Sequence, residues 1–198
     1  MAVPCERCGR EYDVALFEFG RTISCTCGNR VGIAARVRRV RDSNATRFAA
    51  DAMLGRLARW LRLLGFDCSF DPAITDEEIV RLAVSDSRTI LTRDRRLPEE
   101  WWVPEIYVVR EEEVRKQLAE VIRRFDLAAS IRILTRCNAC NRSLNRIRRA
   151  DASGRVPPRV YELNDEFSEC LDCGRVYWEG SHAARIRRLV EELVAAGA

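Results

Sequence analysis

The chain has 198 residues, of which 47 % are hydrophobic and 32 % are charged, a balance typical of a folded protein that buries a core. No apolar run approaches the roughly 20 residues that cross a bilayer, and the first residues lack the basic and apolar regions of a secretory signal, so we expect a cytoplasmic protein that does not enter a membrane. The net charge of +4 divides into +4 over residues 1–41, −3 over 42–130 and +3 over 131–198, which suits basic ends that bind a polyanion around an acidic centre.

The first segment, residues 1–41, contains two close cysteine pairs and ends in a basic run. Cys5 and Cys8 form a Cys-x-x-Cys pair, and after 16 intervening residues Cys25 and Cys27 form a shorter Cys-x-Cys pair. Because cysteines of a cytosolic protein stay reduced, close pairs favour metal ligation over disulfides. We therefore predict a small zinc ribbon, followed by a basic linker over residues 36–41.

The middle segment, residues 42–130, alternates between strand and helix patterns. Strands are predicted over residues 47–50, 66–70, 89–92 and 106–109, and helices over residues 52–64, 75–85 and 111–125. Thr75 and Glu78 have the spacing of a capping box, and three glutamates open the third helix, where its dipole favours negative charge. This alternation predicts an α/β domain, a parallel sheet with helices on both faces.

The last segment, residues 131–198, carries a second set of cysteine pairs. Cys137 and Cys140 precede Cys170 and Cys173, with 29 residues between the two pairs. A terminal helix is predicted over residues 182–195. We interpret this segment as a second zinc ribbon with a helix appended.

The residue that follows each cysteine pair supports zinc binding. A knuckle often needs a left-handed backbone at this point, and the four residues are Gly9, Gly28, Asn141 and Gly174, the types that tolerate it best. Four thiolates leave no position for a catalytic water, so both zinc ions should be structural. Redox or unmetallated cysteines are the alternatives. The ninth cysteine, Cys68, lies in an apolar run and is interpreted as a small buried hydrophobe.

Several aspartates follow the predicted strands. Asp51 ends the first strand, Asp71 follows the second, Asp94 lies just past the third, and Asp76 opens a helix. Ligands of parallel α/β sheets gather at the carboxyl ends of the strands, and converging carboxylates favour a hard cation such as Mg²⁺ or Mn²⁺. The alternative is that Asp76 only caps its helix. We interpret Asp71, before a proline, as part of a turn.

Other hydrolytic and nucleotide-binding chemistries lack their residues. The single histidine, His182, excludes two-histidine ribonuclease chemistry and most zinc hydrolases built on histidine. The run after the first strand is Asp51-Ala-Met53 and not Asp-x-Asp, and no glycine-rich phosphate loop is present. A mechanism that uses carboxylates alone remains.

Arginines on the helix after Asp51 are candidates for phosphate binding. Leu54, Leu57, Leu61 and Leu64 form an apolar stripe, while Arg56, Arg59 and Arg62 share another face. These arginines could equally form a solvated face. Of the 34 basic residues 33 are arginine, a bias that codon composition alone can produce.

Three runs resemble a known family, the Mut-seven carboxy-terminal RNase family of the PIN superfamily. They are Arg47 to Asp67 (RFAADAMLGRLARWLRLLGFD), Ile90 to Arg95 (ILTRDR), and the C-terminal cysteine pairs together with the run from Tyr177 to His182 (YWEGSH). The resemblance covers about residues 46 to 187. It implies a PIN-like sandwich in residues 42–130, with the residue 131–198 ribbon appended, and leaves the N-terminal ribbon outside.

The resemblance also implies a ribonuclease. Asp51, Asp76 and Asp94 would hold Mg²⁺ or Mn²⁺, and hydrolysis would leave a 3′-hydroxyl and a 5′-phosphate. A fourth carboxylate is usual in the superfamily, and Asp71, Glu77 and Glu99 are the candidates without a clear match. We name as candidate RNA contacts Arg56, Arg59, Arg93, Arg95, Trp178 and His182, although Trp178 and His182 could equally be ribbon core and helix start.

Two other functions stay open at this point. A non-catalytic adaptor would keep the fold and use its basic ribbons to bind RNA or a protein. A toxin of a toxin–antitoxin pair is a third reading. The identity of the RNA, the direction of attack and the oligomeric state do not follow from the sequence.

Overall fold

The computed structural model describes residues 1–35 and 46–195, with side chains described as far as residue 193. It divides into two compact units. Unit 1 comprises Met1–Gly55 and Phe70–Arg110, and unit 2 comprises Arg56–Ser69 and Glu111–Ala198. The basic linker predicted over residues 36–41 lies outside the described residues. Within the described ranges, none of the helices combines the length and apolar character that crossing a membrane requires.

The strands in chain order are β1 (Ala2–Pro4), β2 (Glu11–Asp13), β3 (Thr22–Ser24), β4 (Arg30–Gly32), β5 (Arg47–Ala50), β6 (Asp67–Phe70), β7 (Thr89–Thr92), β8 (Ile106–Val108), β9 (Asn145–Ile147), β10 (Phe167–Glu169) and β11 (Val176–Trp178). The α-helices are α1 (Gly55–Leu63), α2 (Asp76–Asp86), α3 (Leu97–Glu100), α4 (Val114–Arg124), α5 (Pro158–Leu163) and α6 (Ser181–Ala195). Short 3₁₀ segments cover Val14–Gly20, Ala52–Leu54, Ala128–Ser130 and Arg149–Ala152.

The N-terminal ribbon of unit 1 consists of two small hairpins. β1 pairs antiparallel with β2, and β3 pairs antiparallel with β4. Its buried centre is formed by Cys5, Phe17, Cys25 and Val31. So few apolar side chains supply little stability of their own, and a small module of this kind normally depends on a metal.

The parallel sheet of unit 1 has the strand order β5-β7-β8. β5, β7 and β8 pair in parallel, with Ala49 opposite Ile90 and Leu91 opposite Tyr107. All four residues of β7 are buried, as expected for an inner strand covered on both faces. The α/β class predicted from the sequence, with cysteine-rich modules at both ends, is confirmed.

The predicted local signals agree with the elements of unit 1 in several places. β5 and β7 have the predicted bounds. The capping box of α2 is complete: the Thr75 hydroxyl accepts a hydrogen bond from the Glu78 amide at 3.3 Å, and the Glu78 carboxylate accepts one from the Thr75 amide at 2.8 Å. This satisfies two amides that the first turn of a helix otherwise leaves without partners.

The start of α4 was predicted wrongly. The helix begins at Val114 and has no acidic residue in its first turn, whereas the sequence suggested a start at residue 111. The side-chain amide of Gln117 donates to the backbone carbonyls of Glu111 and Glu112. The Glu120 carboxylate accepts a hydrogen bond from the Glu111 backbone amide at 3.0 Å. Gln117 and Glu120, which lie inside the helix, thus hold Glu111 and Glu112 in a bend before its first turn. No local sequence pattern predicts these contacts.

Unit 2 contains the second ribbon. β9, β10 and β11 form an antiparallel sheet with β10 in the middle. Its core is built from Ala152, Val156 and Phe167, with Tyr161 stacked on Phe167 at 6.1 Å between ring centroids. Leu57 and Leu61 of α1 are fully buried, and Cys68 on β6 is 0 % exposed, as the sequence predicted.

Candidate functional site

Four cysteine loops share one backbone design. In each of three of them the amide four residues after the first cysteine donates to that cysteine's carbonyl: Gly9 to Cys5, Asn141 to Cys137 and Gly174 to Cys170, at 2.8–3.0 Å. In the shortened loop the amide of Gly28 reaches Cys25 from three residues away, at 2.8 Å. Removing one residue therefore tightens the turn and preserves the bond that closes it.

The residue that closes each loop has the predicted left-handed backbone. The φ angles are +71° at Gly9, +83° at Gly28, +67° at Asn141 and +69° at Gly174. A Cβ on any of the three glycines would meet no atom within 4 Å, so backbone conformation and not space favours glycine there. The prediction from residue type alone is confirmed at all four positions.

The N-terminal cluster brings Cys5, Cys8, Cys25 and Cys27 within 4.8 Å of one another through their sulfur atoms. The Sγ distances are 3.6 Å for Cys5 and Cys27 and 3.5 Å for Cys8 and Cys25. Tetrahedral zinc with bonds of about 2.3 Å separates its sulfurs by about 3.8 Å, and a disulfide by about 2.0 Å. The donor set and spacing therefore fit a zinc ion.

One thiol of this cluster is prepared for ionisation. The Cys27 amide, followed by the Tyr12 hydroxyl, lowers the pKa of Cys25 to about 5. Thiolate is the form that binds zinc. The Asn29 side-chain amide lies 3.6 Å from the Cys5 sulfur and adds a weak donor.

The C-terminal cluster brings Cys137, Cys140, Cys170 and Cys173 together in the same way. Its Sγ distances include 3.6 Å for Cys137 and Cys173 and 3.2 Å for Cys140 and Cys170. The Tyr177 hydroxyl lies 3.0 Å from the Cys137 sulfur. Burial opposes ionisation of Cys137, but donors led by the Cys140 amide and this hydroxyl outweigh it and lower the pKa of Cys137 to about 6.

A buried arginine is attached to the C-terminal cluster. Arg62 on α1 is only 4 % exposed, so its predicted place on an arginine face with Arg56 and Arg59 is wrong. Its Nε donates to the Cys68 carbonyl at 2.8 Å, and its Nη1 donates to the Ala139 carbonyl at 2.7 Å, inside the first knuckle. A buried cation is costly unless a negative charge compensates it. A zinc ion bound by four thiolates would carry a formal charge of −2 and would compensate the buried Arg62.

A separate group of carboxylates lies at the carboxyl ends of β5 and β7. Asp51 directly follows β5, and its Oδ2 accepts a hydrogen bond of 2.6 Å from the hydroxyl of Thr92, the last residue of β7. The same hydroxyl accepts the Asp94 amide at 2.9 Å. Thr92 is 0 % exposed and thus ties Asp51 to Asp94. Thr92 was not predicted from the sequence, although a threonine two residues before an aspartate at a strand end is a recognisable turn signal.

Asp76, the first residue of α2, belongs to the same group electrostatically. Although the residue as a whole is exposed, desolvation of its carboxyl group, followed by the charges of Asp94, Asp51 and Glu100, raises the pKa of Asp76 above its usual range. A like charge raises the pKa of a carboxyl only when it lies nearby. Asp51 and Asp94 therefore act electrostatically on Asp76, and Glu100 acts on it as a further acid.

None of the three residues considered as a fourth carboxylate appears among these charges. Asp71 is exposed and accepts the Ala73 amide at 2.9 Å, the turn expected from the sequence. Glu77 pairs with Arg81 at 2.6 Å, and Glu99 pairs with Arg30 at 3.7 Å. Glu100 was overlooked because α3 is four residues long; Pro98 near its start and two glutamates in its first turn were the signal.

The carboxylates are spaced more widely than the thiols. Within residues 1–35 and 46–195, the two cysteine clusters are the sets of at least three ligand atoms from His, Cys, Asp or Glu that lie within 4.8 Å of one another. Mg²⁺ commonly keeps several waters and takes only one or two carboxylates directly.

The candidate RNA contacts are distributed over both units. Arg93 and Arg95 flank Asp94 in unit 1, where Arg93 is half-buried and Arg95 exposed. The others belong to unit 2: Arg56 and Arg59 are exposed on α1, and Trp178, half-buried on β11, lines a cavity of about 180 Å³ with Tyr177. His182 is exposed in the first turn of α6, with its Nδ1 3.3 Å from the Arg185 guanidinium.

Comparison with known families identifies the domain that holds the carboxylates. The model of the Mut7-C RNAse domain matches residues 46–190, which include β5, β7, α2, α3 and the C-terminal cysteine cluster. A search of curated proteins and a search of solved structures each found no match. The matched region starts after the N-terminal ribbon and covers more than half of the chain. The chain therefore belongs to the Mut7-C RNAse domain family.

Proposed function

We propose that the protein is a metal-dependent ribonuclease that hydrolyses RNA phosphodiester bonds. Asp51, Asp76 and Asp94 would form its metal site, with Glu100 as the fourth carboxylate. Two contacts inside an RNase-family domain support the proposal: the Thr92 hydroxyl joins Asp51 to Asp94 at the carboxyl ends of β5 and β7, and Asp76 and Glu100 line one cleft. Their oxygen ligands match Mg²⁺ or Mn²⁺.

The chain's own residues prepare this group for a metal ion. The Thr92 hydroxyl orients the Asp51 carboxylate by donating a hydrogen bond to its Oδ2. Asp94 is fixed at both ends: its amide donates to Thr92, and its Oδ1 accepts the Arg96 amide at 2.8 Å. When bound, the metal ion would lower the pKa of a water molecule and neutralise charge on the scissile phosphate.

The raised pKa of Asp76 has a consequence for the acid limb of the reaction. Without a cation this carboxyl takes up a proton at a higher pH than an ordinary aspartate, because its desolvation and three neighbouring acids oppose its charge. Proton uptake competes with metal binding. We expect activity at a fixed, subsaturating Mn²⁺ concentration to fall on acidification and more metal to restore it.

The two cysteine clusters are proposed to hold one structural zinc ion each. Four thiolates close the coordination sphere, so the clusters would stabilise the ribbons and perform no chemistry. Reduced thiols of this kind suit the cytoplasm, where we place the protein.

Cleavage of labelled single-stranded RNA tests the proposal. Cleavage should require Mn²⁺ or Mg²⁺, stop with EDTA, and fall by at least about a hundredfold in Asp51→Asn and Asp94→Asn, since each removes a metal-binding charge. Asp71→Asn, in an exposed turn of unit 1, is the matched control and should cleave normally. Salt-sensitive RNA retention with no cleavage under any metal condition would instead favour a binding adaptor.

A further inference from the structure

The N-terminal ribbon is bonded to the segment that carries Glu100, although the family match does not include it. The Trp102 amide donates to the Gly20 carbonyl at 2.7 Å, and the Ala35 amide donates to the Trp102 carbonyl at 2.9 Å. The Thr22 hydroxyl lies 2.9 Å and 3.0 Å from the carbonyls of Glu99 and Glu100. These contacts are all within unit 1 and fix the ribbon beside the carboxylate group.

Close approach at this junction depends on Gly20. Its φ is +87°, and a Cβ there would lie 2.7 Å from the Trp102 carbonyl oxygen. Neither the backbone conformation nor the space admits a side chain. The junction is therefore a specific fit.

A cleft opens between the ribbon and the carboxylates. It has a volume of about 560 Å³ and is lined by Arg21 and Thr22 from the ribbon and by Thr75, Asp76, Glu77, Glu100 and Trp101 from the family domain. A neighbouring cavity of about 350 Å³ shares Arg21, Thr22, Glu77 and Trp101 and extends along the ribbon to Phe19. Because the two cavities share these four residues, we describe them as one groove, which extends from Asp76 and Glu100 to Phe19.

Arg21 is a cation with its donors available in this groove. Its side chain is exposed and lies over the Trp101 ring, 5.9 Å from the centroid. Within residues 1–35 and 46–195, its guanidinium makes no ion pair or hydrogen bond with a side chain, although Glu77 and Glu100 line the same cleft. Guanidinium groups bind phosphate oxygens through paired N–H donors.

Phe19 adds an aromatic surface further along the groove. Phe19 is 37 % exposed, and the Arg81 guanidinium lies over its ring, 5.1 Å from the centroid. Its φ of +53° is rare for a bulky residue, and rare backbone conformations concentrate at functional positions. Exposed aromatic rings beside cations are the usual platform for bases of single-stranded nucleic acid.

We propose that the N-terminal ribbon forms one wall of the substrate cleft, where Arg21 binds a phosphate of single-stranded RNA next to the scissile one and Phe19 stacks on a base. The inference rests on the proposed ribonuclease function and deepens it. The ribbon thus extends the binding site beyond the family domain.

Equilibrium binding without turnover tests this assignment. The full chain carrying Asp94→Asn is titrated against a short fluorescein-labelled single-stranded RNA in Mg²⁺, and anisotropy is measured over a range of salt concentrations. Adding Arg21→Gln should weaken binding about tenfold, the effect of losing roughly 1.4 kcal/mol, and reduce the slope of log K against log salt by about 0.7, the value for one contact to a single strand. Arg21→Lys should restore the slope of log K against log salt. Phe19→Ala should weaken binding about tenfold and leave that slope unchanged.

Arg10→Gln is the matched control, since it removes the same charge from an exposed position of the same ribbon outside the groove. Equal binding by the Arg10→Gln and Arg21→Gln proteins, with unchanged melting temperatures, would overturn the inference and leave the nuclease assignment intact. Arg21-dependent binding together with no metal-dependent cleavage by the unsubstituted chain would keep the cleft and overturn the nuclease assignment alone. If Arg21→Gln lowers the melting temperature of the protein, while Arg21→Lys has an unchanged melting temperature and binds RNA normally, the result still supports the need for a cation at residue 21.

Discussion

The two cysteine clusters are built on the same loop but have different surroundings. Each has four sulfurs within 4.8 Å and a left-handed residue after each pair. Around the N-terminal cluster the polar contacts come from exposed or half-buried groups, such as the Arg7 guanidinium on the Cys27 carbonyl at 3.0 Å. The C-terminal cluster instead has the buried Arg62 bonded to its knuckle.

Asn141 extends this difference. It occupies the left-handed position that glycine holds in the other three loops, and it also uses its side chain: Oδ1 accepts the Cys68 amide at 3.1 Å and Nδ2 donates to Asp67 at 2.8 Å. The loop is thereby joined to β6 as well as to α1. The same metal-binding loop can therefore have its polar contacts at the surface of a ribbon or inside a domain core, depending on the side chains around it.

Replacing one buried cysteine in each cluster should give the largest difference in stability between the two clusters. Cys137→Ser should remove one zinc ion and abolish the cooperative unfolding of unit 2, because zinc binding supplies folding free energy on the order of 10 kcal/mol. Cys25→Ser should also remove one zinc ion but leave the transition of unit 2 in place. Zinc content and thermal unfolding by circular dichroism measure both effects. Equal loss of secondary structure in the two variants would contradict the comparison.

Arg62 should show the next largest effect. Arg62→Met keeps a long apolar side chain but removes the guanidinium hydrogen bonds to the Cys68 and Ala139 carbonyls and the buried cation close to the thiolates. We expect a loss of about 3–5 kcal/mol, the range for breaking a buried charged contact. Arg59→Met, on the exposed side of α1, should change the free energy of unfolding by less than about 0.5 kcal/mol. Urea unfolding of the two proteins gives the comparison, and similar values would refute the role of Arg62.

The Asn141 side chain should have the smallest effect. Asn141→Gly keeps the left-handed backbone and removes two hydrogen bonds, for an expected cost of about 1–2 kcal/mol. Gly174→Asn, the reverse exchange in the partner knuckle, should cost only a few tenths of a kcal/mol, since a Cβ there meets no atom within 4 Å. Urea midpoints check both, and a larger loss at residue 174 would be the contrary result.

The sequence predicted what depends on local chemistry. Knuckle residues such as Gly28 and Asn141 were identified because left-handed backbone restricts residue type, and Asp51 because it directly ends an apolar strand. The capping box of Thr75 and Glu78 is likewise complete within four residues.

What the sequence did not predict depends on contacts between distant segments. Arg62 looked like a surface arginine because its partners, Cys68 and Ala139, lie 6 and 77 positions away. Glu100 joined the acids only once α3 was placed near Asp76. The three-part division at residues 41/42 and 130/131 stays a prediction, and its first boundary lies outside the described residues.

The claim that the chemistry belongs to the carboxylates and not to the cysteine clusters is tested most directly by measuring zinc content and RNA cleavage in the same samples. Brief EDTA treatment followed by desalting should leave zinc in the closed clusters and abolish cleavage, and Mn²⁺ alone should restore cleavage to the unsubstituted chain but not to Asp94→Asn. Cleavage that follows zinc content through depletion and re-addition, with Asp94→Asn as active as the unsubstituted chain, would contradict the account.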